Sequence, residues 1–287
     1  MRIGIHTSIA GELKNAALRA SELGANTFQI FSCSPRSWNF AGVNPDAAIE
    51  LRRTREKLDL QPLVVHDNYL INLAAADETI RRKSIAAFRA EIGRALAVGA
   101  DYLVMHPGSS KGQAVQQAIA TLVSSLAAAA GGVRFDGLTI LLENTAGAGA
   151  TIGRTFEELR EIHDQLVQQA DIEAGYCLDT AHCLASGYDV ATGEGLERTI
   201  AAASQTLGLS RIPVIHTNDS KAPLGSQVDR HEHIGRGYIG KDGFRRILQH
   251  PKLRGKAFIL ETPIDKPGDD RRNLNALKRL AKTDRMV

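Results

Sequence analysis

The sequence predicts an α/β protein with a single domain and the architecture of a (β/α)₈ TIM barrel. Eight short runs rich in Val, Ile, Leu or Phe recur along the 287 residues, and nearly every run precedes a pattern with helical spacing. Eight such units favour a closed barrel over an open sheet, which commonly has about five or six strands. Barrels of this kind have about 250 residues, and no linker rich in Pro, Ser and Gly divides the chain. We therefore expect residues 1–287 to form one domain.

The predicted strands and helices alternate from the amino terminus onward. The strands are Ile3–Ile5, Thr27–Ile30, Leu63–Val65, Tyr102–Met105, Thr139–Leu142, Ala174–Leu178, Pro213–Ile215 and Ala257–Leu260. The helices are alanine-rich and amphipathic, so each has an apolar face that can pack against a sheet. They are Leu13–Leu23, Pro45–Leu58, Thr79–Val98, Ala114–Ala130, Phe156–Leu166, Leu196–Leu207, Gly243–Leu248 and Arg271–Leu280.

The glycine pattern argues against a nucleotide-binding doubly wound sheet. Neither GxGxxG nor GxxxxGK[ST] follows the first predicted strand, and these motifs are the best signatures of that fold. The glycine-rich segment Ala146–Ala150 leads from the fifth predicted strand to Thr155, a residue type that suits the start of a helix. We interpret this segment as a strand-to-helix loop and not as a linker between domains.

The composition indicates a soluble protein of a reducing compartment. No apolar run reaches about 18 residues and no signal-peptide pattern begins the chain, so we expect a cytoplasmic protein without a membrane segment. Cys33, Cys177 and Cys183 are odd in number and contain no CxxC pair, which argues against a disulfide framework and a thiolate zinc site. The net charge of +3 is compatible with a polyanionic partner but identifies none.

Polar residues stand at the end of every predicted strand, and the strand ends of a barrel converge on one rim. These residues are His6, Ser32, His66, His106, Glu143, Asp179, His216 and Glu261, with His182 three positions after Asp179. Ordinary hydrogen bonding would explain any one of them. Together, so many imidazoles and carboxylates at one rim would be poorly solvated without cations, and they predict divalent metal ions.

A second concentration of metal-binding residue types follows His216. Asp229 and His231 are two residues apart, so in an extended segment both side chains point to the same side and can bind one metal. His233 continues that face, and the spacing does not rank it against His231. Nine candidate ligands suit two or three ions, with Glu143 or Glu261 as a bridge. The nine are His66, His106, Glu143, Asp179, His182, His216, Asp229, His231 and Glu261.

The donor types indicate which metals the site would bind and which reaction it would support. Imidazoles and carboxylates without thiolates favour zinc, with manganese or iron as alternatives. Neighbouring metals lower the pKa of a bound water toward about 7 and neutralise charge on the attacking and leaving oxygens. Such a centre suits phosphoester hydrolysis, and we therefore expect a phosphodiester substrate.

Six motifs follow one another from the third predicted strand onward. They are His66-Asp67-Asn68-Tyr69-Leu70-Ile71-Asn72-Leu73, His106-Pro107-Gly108-Ser109, Glu143-Asn144-Thr145-Ala146-Gly147, Leu178-Asp179-Thr180-Ala181-His182, His216-Thr217-Asn218-Asp219-Ser220-Lys221, and Asp229-Arg230-His231 with Ile234-Gly235. In this order they resemble the endonuclease IV family of apurinic/apyrimidinic endonucleases. A fainter match begins at His6, so the resemblance covers nearly the whole chain.

The resemblance implies a trinuclear zinc site in a TIM barrel. From the donor types, Mn²⁺ is an alternative at one or more positions. The first zinc would be held by His66 and His106, the second by Asp179, His216 and Glu261, with Glu143 between them, and the third by His182, Asp229 and His231. His231 is thereby favoured over His233, and we expect Glu143 and Glu261 to be essential for catalysis.

The resemblance also implies the substrate. The family cuts double-stranded DNA on the 5′ side of an abasic site, leaving a 3′-hydroxyl and a 5′-deoxyribose phosphate, and often removes blocked 3′ ends. We expect both activities in a monomeric enzyme.

Members of the family insert side chains into the DNA at the lesion, and Arg36, Tyr69 and Leu70 occupy the matching positions. Extrusion of a nucleotide costs less free energy when its base is missing, so such a wedge favours the lesion. The alternative is that Tyr69 and Leu70 are ordinary packing residues of their loop, the role we expect for Trp38.

Two other classes of protein compete with this interpretation. A sugar isomerase or epimerase shares the barrel, but it needs about four mostly oxygen ligands for each of one or two ions. A non-catalytic zinc-stabilised DNA-binding module would normally have a closed, cysteine-containing zinc site, which this cysteine-poor sequence does not suggest.

Overall fold

A computed structural model describes residues 1–35, 37–38, 41–170 and 172–282. Within these residues the strands are β1 (Arg2–His6), β2 (Phe28–Phe31), β3 (Leu63–His66), β4 (Tyr102–Met105), β5 (Thr139–Glu143), β6 (Ala174–Asp179), β7 (Val214–His216), β8 (Asp219–Ser220), β9 (His231–Glu232) and β10 (Ala257–Leu260). Eight parallel strands close into a barrel in the order β1-β10-β7-β6-β5-β4-β3-β2, and β8 and β9 form a separate antiparallel pair.

Helices connect the strands and surround the barrel. In the described residues they are α1 (Asn15–Leu23), α2 (Pro45–Lys57), α3 (Glu78–Val98), α4 (Val115–Ala130), α5 (Phe156–Gln169), α6 (Thr180–Ser186), α7 (Gly193–Thr206), α8 (Gly240–Gln249) and α9 (Asp269–Ala281), with a 3₁₀ turn at Leu209–Arg211. Side-chain caps begin several of them: Asn44 for α2, Asp77 for α3 and Thr155 for α5. None of the helices described is both long enough and apolar enough to cross a membrane.

The predicted barrel and its alternation of strands and helices are confirmed. Observed helix and strand ends differ from the predicted ones by at most three residues, and the largest differences are at helix ends, such as the beginnings of α7 and α8. At their carboxyl ends β3, β5, β6 and β7 each include the polar residue that follows the apolar run. Helix α6 was not predicted, because this seven-residue helix begins directly after β6 without a connecting loop. The short strands β8 and β9 were also not predicted.

The interior of the barrel is filled by one small apolar layer. It consists of Val64, Val104, Leu141, Cys177, Val214 and Ile259, all fully buried. The larger apolar core lies between the barrel and its helices and contains side chains such as Phe28, Phe88 and Phe156. The six interior residues therefore form the floor on which the residues at the carboxyl ends of the strands rest.

Candidate metal centre

The two-residue period of the strands places six candidate ligands above this apolar floor. Side chains two positions apart in a strand lie on the same face, and each interior apolar residue stands two positions before a ligand. The ligands in question are His66, His106, Glu143, Asp179, His216 and Glu261. In the sheet register, Asp179 of β6 is paired with His216 of β7, so these two ligands lie at the same height on adjacent strands.

The described part of the chain contains three groups whose donor atoms all lie within 4.8 Å of one another. The first ligand group is His66, His106 and Glu143; the second is Glu143, Asp179, His216 and Glu261; the third is Asp179, His182 and His231. Asp229 lies beside the third group, with Oδ1 3.3 Å from His182 Nε2 and 3.7 Å from His231 Nε2. The structure thus brings together all nine candidate ligands.

Glu143 lies at the centre of the site and is completely buried. Its Oε2 is 3.1 Å from His66 Nε2 and 3.0 Å from His106 Nε2, and its Oε1 is 2.8 Å from His216 Nδ1. Burial alone raises the pKa of this carboxyl, but His216 and His106 outweigh that effect and hold the pKa well below its usual range. Glu143 is shared by two ligand groups and Glu261 belongs to one, which favours Glu143 as the bridging residue.

Two imidazole nitrogens show that these residues fit divalent cations. His182 Nε2 and His231 Nε2 are buried, and among the described residues neither makes a well-formed hydrogen bond: the nearest carboxylate oxygens are Asp229 Oδ1, 3.3 Å from the first, and Asp179 Oδ2, 3.6 Å from the second. The other ring nitrogen of each faces a backbone carbonyl: His182 Nδ1 is 2.9 Å from Asn144 O, and His231 Nδ1 is 3.3 Å from Glu261 O. A buried nitrogen without a partner is costly, whereas a metal ion would use its lone pair.

Two further candidate ligands, His66 and His216, are also oriented through the ring nitrogen that faces away from the ligand groups. His66 Nδ1 is 3.0 Å from the carbonyl oxygen of Asp67, which leaves Nε2 facing Glu143. His216 is turned the opposite way, because its Nε2 is 2.8 Å from Gln29 Oε1 and its Nδ1 faces Glu143. Outer contacts of this kind set the tautomer and direction of metal-binding imidazoles.

Gln29 is a site residue that the sequence analysis missed. Its buried amide lies in β2, and Nε2 donates to Glu261 Oε1 at 2.5 Å while Oε1 contacts His216. Nε2 is also 3.1 Å from Nδ1 of His6, whose pKa is lowered by burial to about 4. His6 belongs to none of the ligand groups in the described residues. An amide at an inward position of an apolar strand was the signal in the sequence.

We expect Gln29→Leu to weaken metal binding by 10- to 100-fold, the range typical of contacts that orient metal ligands. The substitution removes the hydrogen bonds that hold His216 and Glu261 in the second ligand group. The dissociation constant can be measured by competition with a chromogenic zinc chelator. Gln117→Leu, on the exposed face of α4, is the matched control and should bind metal like the unmodified chain. Equal affinities for both variants would contradict the prediction.

Two buried asparagines connect Asp179 with its neighbours. Asn218 Nδ2 donates to Asp179 Oδ2 at 2.5 Å, and its Oδ1 accepts from the backbone N–H of Glu261 at 2.8 Å. Asn144 Oδ1 accepts from the backbone N–H of Asp179 at 2.7 Å. Both asparagines lie in the motifs noted above, yet their spacing alone gave no sign of this role.

The structure separates His233 from His231. His233 Nδ1 is 3.0 Å from Asn273 Nδ2 of α9, and its Nε2 is 3.4 Å from Asp265 Oδ2. Strand β9 ends at Glu232. His233 lies beyond the strand, so the strand alternation that would have placed its side chain on the same side as that of His231 does not extend to it. His233 therefore anchors its loop to α9, while His231 points toward Asp179 and Asp229.

The loop after β3 carries two exposed side chains next to the ligands. Tyr69 is 64% and Leu70 is 37% exposed. Both line a cavity of about 770 Å³ that reaches His106, His182 and Asp229, among other residues.

The loops after β2 and β3 are joined by Asn68. Its Nδ2 donates to the carbonyl oxygens of Ser34 and Ser37, at 3.2 and 2.8 Å. Trp38 packs against the core, as expected, and also lines the 770 Å³ cavity. Arg36, the third predicted wedge residue, lies outside the described residues.

Comparison with known proteins finds a family model and full-length relatives that this chain resembles. Residues 17–282 match a family model described as a xylose isomerase-like TIM barrel. A protein of Solibacter usitatus named probable endonuclease 4 is 56% identical over 281 residues, which are 98% of this chain and 97% of that protein.

Solved structures give a consistent result. The crystal structure of endonuclease IV from Thermus thermophilus is 39% identical, with a TM-score of 0.85 and 98% of each chain covered. The structure of a D-tagatose 3-epimerase-like protein is 22% identical, with a TM-score of 0.70 over 98% of this chain and 97% of that one. At that identity the second likeness concerns the fold alone.

Proposed function

Because the chain belongs to the endonuclease 4 family, we propose that it is a zinc-dependent DNA repair endonuclease acting at abasic sites. It would cleave the phosphodiester on the 5′ side of the lesion, leaving a 3′-hydroxyl and a 5′-deoxyribose phosphate. Removal of blocked 3′ ends is the second proposed activity, and the enzyme would act as a cytoplasmic monomer. The observation that carries the proposal is the convergence of eight candidate ligands in three overlapping groups that share Glu143 and Asp179, with the ninth, Asp229, beside the third group.

The donor set fits three zinc ions, with Mn²⁺ as an alternative at one or more positions. His66 and His106 would hold the first ion, Asp179, His216 and Glu261 the second, and His182, Asp229 and His231 the third, with Glu143 shared by the first two. Bound there, the ions would activate a water nucleophile and neutralise the charge that develops on the phosphodiester oxygens.

The two proposed catalytic carboxylates have different surroundings. Glu143 is fully enclosed and organises the histidines around it, whereas the side chain of Glu261 is 19% exposed and faces the rim of the barrel. Burial alone raises the pKa of Glu261, but His216 and other imidazoles outweigh it and lower that pKa to about 2. Glu261 is therefore an ionised carboxylate that a phosphodiester at the rim can approach.

Side chains of this protein that insert into the DNA would select the lesion. Tyr69 and Leu70 extend into solvent at the edge of the cavity, and Tyr69 is supported by an edge-on contact with Phe31, with ring centroids 5.1 Å apart. We propose that these two side chains, with Arg36, enter the duplex at the abasic site. The sugar that is displaced would occupy the cavity beside His106 and Asp229.

Tyr69→Ala is expected to raise KM for abasic DNA by about tenfold or more, since stacking of an aromatic ring on a base contributes about 1–3 kcal/mol. The turnover number should change less, because Tyr69 contacts no phosphodiester in this scheme. Steady-state kinetics on a duplex with one abasic analogue separate the two constants. Val167→Ala, which removes an equally exposed apolar side chain from the outside of α5, should leave both unchanged. A fall in turnover at constant KM would argue against a wedge.

The proposed activity is tested with a labelled duplex that carries a single tetrahydrofuran abasic analogue. We expect incision on its 5′ side by the zinc-loaded protein, loss of incision on chelation, and no cleavage of the matching intact duplex. A protein with three bound zinc ions that leaves the analogue uncut would overturn the proposal. Tight binding without cleavage would instead favour a non-catalytic DNA-binding module.

A further inference from the structure

Asp219 is a buried carboxylate at the rim that the proposed reaction does not use. It follows β7 by three residues, begins β8 and is completely enclosed. No ligand group in the described residues includes it. A buried charge needs compensation, so its contacts show what this carboxylate does.

Five backbone N–H groups donate to the two oxygens of Asp219. Oδ1 accepts from Ser220 at 2.9 Å, Ile239 at 3.0 Å and Gly240 at 3.4 Å. Oδ2 accepts from Gly235 at 2.9 Å and Gly237 at 3.0 Å. A carboxylate offers about four lone-pair positions, so Asp219 is saturated by these donors and has none left for a metal ion.

Four of these five donors lie in residues 235–240, which lead from β9 into α8. Gly235 and Gly237 belong to the segment that returns from β9, and Gly240 is the first residue of α8. The first N–H groups of a helix have no partner within the helix, and a negative charge is favourable there. Asp219 therefore fastens the returning segment and the beginning of α8 to the end of β7.

The close packing around Asp219 leaves no room for a side chain at Gly237. A Cβ atom there would overlap the carbonyl oxygen of Ser220 and would lie 2.5 Å from Asp219 Oδ1. The backbone of residue 237 thus passes directly against β8. The N–H of Tyr238 donates to the same Ser220 carbonyl at 2.9 Å, which adds a sixth backbone contact to this junction.

The fastened segment carries two of the proposed metal ligands. Asp229 and His231 lie on the long connection between β8 and α8. Before Asp229 the N–H groups of Gly225 and Gln227 donate to carbonyl oxygens of α6, and around His231 the connection is held by the two-residue ladder of β8 with β9. In that ladder Ser220 is opposite His231. The ligands of the first two groups are instead at or next to the ends of barrel strands, where the closed sheet holds them.

We infer that Asp219 is a positioning residue for the third metal, acting through the hydrogen bonds that place Asp229 and His231 beside His182. The inference rests on the proposed metal centre and deepens it. It predicts that loss of the Asp219 carboxylate selectively weakens the third ion, because the first and second ligand groups do not depend on this connection.

The test is Asp219→Asn in the full-length protein, with metal content measured by mass spectrometry after equilibration with buffered zinc. The amide has nearly the same shape, but its NH₂ group faces backbone donors and cannot accept from them. We expect loss of one ion per chain relative to the unmodified protein and a 10- to 100-fold weaker affinity for that ion. Hydrogen exchange at the amides of Gly235, Gly237 and Ile239 should become faster.

A double-mutant cycle distinguishes positioning from general destabilisation. Asp229→Ala removes a third-metal ligand directly, so adding Asp219→Asn to it should release no further ion. An additional ion lost from the double variant, or full metal content in Asp219→Asn, would overturn the inference. If Asp219→Asn does not fold, Gly237→Ala disturbs the same junction with the carboxylate in place and should show the same loss.

Asp189→Asn is the matched control. Asp189 accepts from the backbone N–H groups of Ala191 and Thr192, at 2.9 and 3.0 Å, in a loop that carries no proposed ligand. Its metal content should equal that of the unmodified chain, and a loss of the same ion would overturn the inference. The readout is a difference in bound metal and requires no incision. A protein that binds the ions but fails to cut abasic DNA would therefore refute the proposed function and leave this inference standing.

Discussion

Glu143→Gln is expected to lower the zinc content to about one ion per chain and to reduce incision at abasic DNA by at least about a thousandfold. Glu143 is shared by two ligand groups, and its oxygens lie within 3.1 Å of three imidazoles. The neutral amide removes the central charge and offers one acceptor oxygen in place of two. Metal ions contribute several kcal/mol of transition-state stabilisation, and each 1.36 kcal/mol is a factor of ten in rate.

The measurement combines zinc analysis with single-turnover incision kinetics. Glu157→Gln makes the same chemical change on the exposed face of α5 and should leave both quantities unaltered. Circular dichroism must show that the barrel is intact, because Glu143 also compensates buried imidazoles. A folded Glu143→Gln protein with full zinc content and normal incision would show that the shared carboxylate is not part of the centre.

The second large effect is expected for Glu261→Gln, which should lower the turnover number by about a thousandfold and change DNA affinity by less than about threefold. Glu261 contacts Gln29 Nε2 and lies 3.3 Å from His216 Nδ1, so the amide fits the space but removes a charge from the second ligand group. The loss of a group that acts mainly in the transition state appears in turnover. Binding is retained because the wedge residues Tyr69 and Leu70 are unchanged.

Fluorescence anisotropy with an abasic duplex, in the presence of zinc, measures binding separately from incision. Glu173→Gln lies just before β6, at the opposite end of the barrel, and is the control for the loss of one negative charge. Parallel losses of affinity and turnover in Glu261→Gln would indicate that Glu261 serves ground-state binding. They would contradict the catalytic role proposed for it.

The barrel was predictable because its signals are local. Apolar runs of strand length alternate with helical patterns, and a polar residue ends each run, so both the fold class and the candidate rim followed from spacing along the chain. The helix α6 escaped prediction because it adjoins β6 directly, and Asp179 serves as both a strand end and the helix cap.

The site was predictable to a smaller extent. Six of the eight strand-end residues, together with His182 and the pair Asp229 and His231, were identified from the sequence and lie together in the structure. The other two, His6 and Ser32, belong to no ligand group in the described residues, and Ser32 instead contacts Glu91 and Arg94. Gln29 was missed because it lies within a strand and not at its end. Asp219 lay within a recognised motif, but its five backbone donors come mostly from residues that are distant in sequence.

Periodicity along the chain was therefore sufficient for the architecture and for the nine ligand candidates, since a two-residue period fixes which side chains of one strand share a face. It could not show which ligands meet across strands, that Asp179 belongs to two groups, or that His233 turns away from His231 toward α9. Those relations depend on how the barrel closes and on where the long loop after β8 is fastened. Both are set by contacts between residues far apart in sequence, which spacing along the chain does not encode.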